Sequence, residues 1–138
     1  MSNFPQAGQV FEYHYLWNRE AKKGQTEGRK KRPSCMAIVI ENAKGQHVLF
    51  IAAITTKSPI GDTIAIEIPE TEAHRAKLTT DVPLWVVVSE LNSDILEQSY
   101  VLEDRTVRGQ FGASFTKSVG RKIQECREAG KLNISART

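Results

Sequence analysis

Cysteine is scarce in this chain of 138 residues: Cys35 and Cys126 are its two. They stand far apart in sequence, which excludes a disulfide-stapled scaffold and a paired-cysteine metal site. Long apolar runs are missing too. The longest, Val48 to Ile54, is far short of the ~20 residues that span a bilayer, so no membrane segment is expected. Met1 to Gln6 has no cationic flank followed by an apolar stretch, so no secretory signal is expected, and the thiols are expected to stay reduced in a cytoplasm. His14, His47 and His74 lack metal-ligand spacing, and neither a metal nor another cofactor is expected. Gly24 and Gly28 are not followed by a Lys-Ser or Lys-Thr helix start, and there is no nucleophile elbow. No internal repeat or low-complexity tract is present.

What remains is an ordinary folding composition, 40% hydrophobic and 25% charged, and a length that suits a single domain over residues 1–138 with its core at about 8–130. The net charge of +3 hides a pattern. Arg19 to Arg32 holds seven cations and two acids, Pro33 to Asp104 four cations and eleven acids, and Arg105 to the end eight cations and two acids. Two basic segments flanking an acidic middle point to an anionic partner such as nucleic acid.

Periodicity supplies the elements. Gly8 to Trp17 reads as a strand, with Phe11, Tyr13, Tyr15 and Trp17 on one face at period two. Asn18 to Lys31 has no apolar period and reads as a long basic loop, a kind of segment that often carries function. Pro33 opens a second strand, Ser34 to Glu41, with Met36, Ile38 and Ile40 on one face. Asn42 to Gln46 is a turn. His47 to Thr55 is the most apolar strand and is expected to be central. Thr63 to Ile68 alternates as a half-buried strand, Glu70 to Lys77 makes one or two helical turns, and Leu84 to Leu91 is another strand. Short strands are expected near Tyr100–Leu102 and Thr106–Val107. The last element is a helix in which Phe115, Val119, Ile123 and Cys126 recur, with Gly130 as its cap. Such a list predicts a mainly β protein: a compact, antiparallel, partly open barrel whose helix covers one end or edge.

Three local features could carry chemistry. Thr26 to Pro33 is a polar, glycine-containing loop that delivers Arg32 to the mouth of a strand, held extended by Pro33. A guanidinium there suits a phosphate, or else pairs with Glu90 across the sheet. Thr55, Thr56 and Lys57 end the most apolar strand and put hydroxyls at its rim. Ser89-Glu90-Leu91-Asn92 puts an acid and an amide after Val88.

In these residues the chain resembles the PemK/MazF family of growth-inhibiting toxins, the endoribonucleases (mRNA interferases) of toxin–antitoxin pairs. Gly8-Gln9-Val10-Phe11-Glu12 is similar to the family's opening Gly-Asp-hydrophobic strand, with Gln9 in place of the acid. Glu27 precedes Arg32-Pro33 by five positions, as in the family's loop. Ser34 to Ile40 resembles the apolar run that follows, and Ala52-Ala53-Ile54-Thr55 the strand that ends in its active-site threonine. Leu84 to Glu90 looks like the strand before an Asp-Gln-type pair, here Glu90-Leu91. The likeness spans about residues 8–130; the basic loop is longer than is usual, and residues 92–114 have no clear counterpart.

The resemblance implies an SH3-like barrel, a homodimer, cleavage of single-stranded RNA without a metal, and a cognate antitoxin, acidic and partly disordered, that fills the RNA groove. RNA carries its own nucleophile in the 2′-hydroxyl, so a protein need only move protons and stabilise the phosphorane. Arg32 is expected to stabilise that charge, Thr55 to hold a phosphate oxygen and Glu27 to act as general base. Lys22, Lys23, Arg29, Lys30, Lys31, Thr56, Lys57 and Glu90 are expected to bind RNA, and Tyr13, Tyr15 or Trp17 could stack on bases. The alternative is a non-catalytic barrel of the same shape that binds RNA or a protein.

Overall fold

The computed structural model describes residues 4–28, 30–99, 101, 102 and 104–138. Strands β1 (Gln9–Tyr13), β2 (Arg32–Glu41), β3 (His47–Thr55), β4 (Ala65–Glu67), β5 (Trp85–Val87), β6 (Glu90–Ile95), β7 (Gly109–Gln110) and β8 (Asn133–Ala136) form one sheet. Helices α1 (Asn18–Lys22), α2 (Glu70–Arg75) and α3 (Ala113–Glu128) and a 3₁₀ turn at Leu96–Gln98 complete the described elements. The strands run β4-β5-β3-β2-β1-β7, with β6 on β3 and β8 on β6. Every pairing is antiparallel except β6 with β8, and among the described residues the sheet does not close on itself. Among the same residues, no helix is long and apolar enough to cross a membrane.

β3 is central, as its composition predicts, because β2, β5 and β6 all pair with it. Its alternation splits the interior in two. Ala52 and Ile54 join Val10, Cys35, Val86 and the α3 residues Phe115, Val119, Ile123 and Cys126 in a first cluster. Leu49, Ile51 and Ala53 join Phe11, Tyr13, Tyr15, Met36 and Leu96 in a second, on the opposite face. α3 therefore lies on a face of the sheet rather than over an end or edge. It ends in a Schellman motif: Gly130 adopts φ +71°, and Lys131 N–H donates to the Cys126 carbonyl at 2.8 Å.

Several expectations need correction. Asn18 to Lys31 is not all loop, because Asn18–Lys22 is helical. β1 stops at Tyr13, and residues 14–17 continue unpaired. Met36, Ile38 and Ile40 do not share a face. A bulge between Met36 and Ile38 inverts the alternation, sending Met36 to the second cluster and Ile38 to the first. Leu84 to Leu91 is two strands. Between them the chain steps aside at Val88-Ser89, where Ser89 Oγ accepts from Ile64 N–H. The strand in Thr63 to Ile68 is only Ala65–Glu67. No strand forms at Val101–Leu102 or Thr106–Val107, and Tyr100 is outside the described residues. The helix is not last: the chain returns as β8 beside β6.

Candidate functional site

The end of the sheet where β2 begins and β3 finishes carries the candidate site. Ser34 pairs with Ala53, and this is the last β2–β3 pair. Arg32 and Thr55 lie two residues further on each strand, so both emerge on the face of the second cluster, at one end of neighbouring strands. Thr55 pairs on its other side with Trp85. The Thr55 hydroxyl oxygen accepts from Lys57 N–H at 3.1 Å, which leaves its proton to donate. Thr56 and Lys57 follow as exposed residues.

Arg32 makes no ion pair with Glu90. Its guanidinium lies over the Trp17 ring, 5.0 Å from the centroid, and the same ring carries Arg19 at 5.2 Å. Arg32 Nε is buried with no hydrogen-bond partner among the described residues. Burial pulls this guanidinium below the ordinary arginine range; Glu20 opposes the shift, Arg19 adds to it, and Tyr15 opposes it. Trp17 caps α1: its N–H donates to Glu20 Oε1 at 3.1 Å, a link from the cap to the third helical residue.

The segment that carries Trp17 is pinned to the sheet by polar side chains of β6 and by Arg137, just after β8. Tyr13 O–H donates to Asp94 Oδ2 at 2.8 Å, and burial pushes its phenol well above the usual tyrosine range, with Asp94 adding to the effect. Asn92 accepts from Leu16 N–H at 2.8 Å and donates to the Leu16 carbonyl at 2.7 Å. Arg137, 7% exposed, donates through Nη1 to the His14 carbonyl at 2.7 Å and to Asn92 Oδ1 at 3.1 Å. Glu90 Oε1 accepts from Tyr15 O–H at 3.1 Å and from Asn18 N–H at 3.0 Å. Burial raises the Glu90 carboxyl above the usual range, against those two hydrogen bonds and Arg19.

The other expected residues scatter. Glu27 lines a cavity of about 700 Å³ together with His14, Lys31, Asp104 and Arg137; Arg32, Thr55 and Glu90 do not line it. Lys22 sits on α1, Lys23 at its end, and Lys30 and Lys31 are exposed ahead of β2; Arg29 lies outside the described residues. Tyr13 and Tyr15 are each 1% exposed and serve as core, not as stacking platforms. Among the described residues no three His, Cys, Asp or Glu side chains are grouped as metal ligands.

Sequence reasoning singled out Asn92 only as an amide beside Glu90, and passed over Arg19, Asp94 and Arg137. Arg19 could have been found from its place two residues after Trp17; the others could not, because polar residues at buried strand positions read as solvent-facing. No family model, curated protein or solved structure matches this chain.

Proposed function

We propose that this chain is an endoribonuclease that cuts single-stranded RNA without a metal, the toxin of a type II toxin–antitoxin pair. One observation carries the reading: a guanidinium and a hydroxyl, Arg32 and Thr55, emerge on one face at one end of adjacent strands. A phosphodiester between them would receive charge from one and a hydrogen bond from the other. The sheet with α3 on one face is compatible with a PemK/MazF-like, SH3-like barrel, and that likeness extends the proposal to a homodimer acting in the cytoplasm. An acidic antitoxin would cover Arg32 and the cations at 22–31.

The test is RNA cleavage in vitro with mapped ends, paired with growth on induction. Arg32→Ala should lose ~10²–10³ in rate, the usual effect of removing a positioned charge stabiliser, with an unchanged circular dichroism spectrum. Thr55→Ala should also be slower, and excess EDTA should leave the parent's rate unchanged. Both variants cutting as fast as the parent would sink the site. The second reading, an RNA-binding module without catalysis, draws on Glu27 lining a cavity that Arg32 does not; it predicts RNA retention and no new ends.

A further inference from the structure

We infer that Arg137 is a positioning residue for Arg32: it fixes the backbone path of residues 14–17, and through that path the Trp17 ring on which the Arg32 guanidinium lies. What this does for a rate rests on the endoribonuclease reading; the hold on the ring does not.

Residues 14–17 follow β1 without a strand partner, although Tyr15 and Leu16 are buried. Their buried backbone groups must find other partners. Side chains supply them. Arg137 Nη1 donates to the His14 carbonyl at 2.7 Å. The Asn92 amide donates to the Leu16 carbonyl at 2.7 Å and accepts from Leu16 N–H at 2.8 Å. Arg137 Nη1 also donates to Asn92 Oδ1 at 3.1 Å, which holds that amide with its oxygen toward Leu16 N–H.

Arg137 is itself fixed at both ends. Its N–H donates to the Ser93 carbonyl at 2.8 Å, just beyond the β6–β8 pair of Ser93 with Ala136, and its guanidinium lies 5.4 Å from the Tyr13 ring centroid. Stability alone does not account for a cation here. Arg137 is 7% exposed, both acceptors of Nη1 are uncharged, and Nε and Nη2 find no hydrogen-bond partner among the described residues. An apolar side chain packed in place of a buried charge so incompletely matched often costs no stability. What Arg137 supplies is direction, since one nitrogen ties residues 14 and 92 to the end of β8.

The path ends at the candidate site. Trp17 is the residue after Leu16, its ring packs against Tyr15 at 5.0 Å, and the Arg32 guanidinium lies 5.0 Å over the same ring. A shift at residues 14–16 moves the ring and, with it, the guanidinium.

Two measurements test this, one of them without RNA. Arg137→Met keeps apolar bulk and removes the donors. The chain's two tryptophans are Trp17 and Trp85, so Trp85→Phe leaves Trp17 as the reporter. In that background, well below the melting midpoint, Arg137→Met should shift Trp17 emission to longer wavelength and raise its quenching by acrylamide. Arg137→Lys, which restores a donor, should bring both back toward the parent. In the chain with both tryptophans, Arg137→Met should lower kcat on a fluorogenic single-stranded RNA roughly tenfold, inside the ~10²-fold that a misplacement of about 1 Å can cost, with KM at the parent's value. In a Trp17→Leu background the same substitution should slow cleavage no further, because the two act on one path. If Arg137→Met does not fold, Arg137→Gln, polar but too short to reach the His14 carbonyl, carries the same expectations. Trp17 emission and quenching at the parent's level in the folded variant would overturn the inference, as would an undiminished loss of rate on top of Trp17→Leu. A parent that cuts no RNA overturns the endoribonuclease reading instead, and the tryptophan measurement still decides whether Arg137 holds the ring.

Discussion

Trp17 is the residue on which the candidate site turns, although its aromatic neighbours look alike in the sequence. Tyr13 and Tyr15 are core, whereas Trp17 stays half-buried and holds two guanidiniums. A cation over a ring is worth about 0.5–2 kcal/mol, and here it fixes the direction of Arg32. Trp17→Leu should therefore slow RNA cleavage by up to roughly thirtyfold at that energy, while Trp17→Phe keeps most of the rate; equal rates for the two would show that the ring does not orient Arg32. Arg32→Lys should behave like Arg32→Ala, because an ammonium lacks the planar fork and the stacking face. The thiols test burial at the same scale. Cys35 is fully enclosed in the first cluster, and burial pushes its thiol up to about 12; burial also raises Cys126. Native protein at pH 8 should leave both unlabelled by iodoacetamide, and unfolded protein should label both. Fast labelling of Cys35 in the native state would mean that the first cluster opens.

At the scale of elements, α2 has a cap that glycine would fill better. Lys77 adopts φ 60°, and Leu78 N–H donates to the Ala73 carbonyl at 2.8 Å, a Schellman ending with a lysine in the left-handed position. Lys77→Gly should stabilise the protein by about 0.5–1 kcal/mol, the left-handed cost less glycine's extra entropy; a lower melting midpoint would contradict this. Elements built on apolar repeats were legible in the sequence. β3 has its expected ends, and the α3 residues Phe115, Val119, Ile123 and Cys126 all face inward. Elements whose burial is polar were not. β8 exposes Ile134 and buries Ser135, the reverse of an amphipathic strand, so hydrophobic alternation could not reveal it. α1 is a five-residue helix held by Trp17 and Glu20, too short for any period. The bulge in β2 is invisible because Ala37 and Ile38 read as ordinary strand residues. The site was legible as far as Arg32 and Thr55, which end apolar strands. The surroundings of Arg32 were not, since Trp17 and Arg19 reach it only through the path of residues 14–18.

For the whole molecule, the two basic segments look equivalent in sequence and are not so in space. α1 follows Trp17, which packs on the second cluster, and Lys30 and Lys31 immediately precede Arg32. Lys117, Arg121, Lys122 and Arg127 ride on α3, whose apolar face covers the first cluster across the sheet. On the proposed function, one strand of RNA along Arg32 and Thr55 would meet the first group and not the second. Each phosphate neutralised releases counterions, so the logarithm of affinity falls against the logarithm of salt concentration by about 0.7 per contact for a single strand. Lys30→Ala with Lys31→Ala should flatten that slope by up to about 1.4, two contacts' worth, whereas Lys117→Ala with Arg121→Ala should leave it alone. Fluorescence anisotropy of a labelled single-stranded RNA across a salt series reads both. If the α3 pair changed the slope and the pair before β2 did not, RNA would lie on the α3 face, away from Arg32, and the charge pattern of the chain would belong to a different surface from its candidate chemistry.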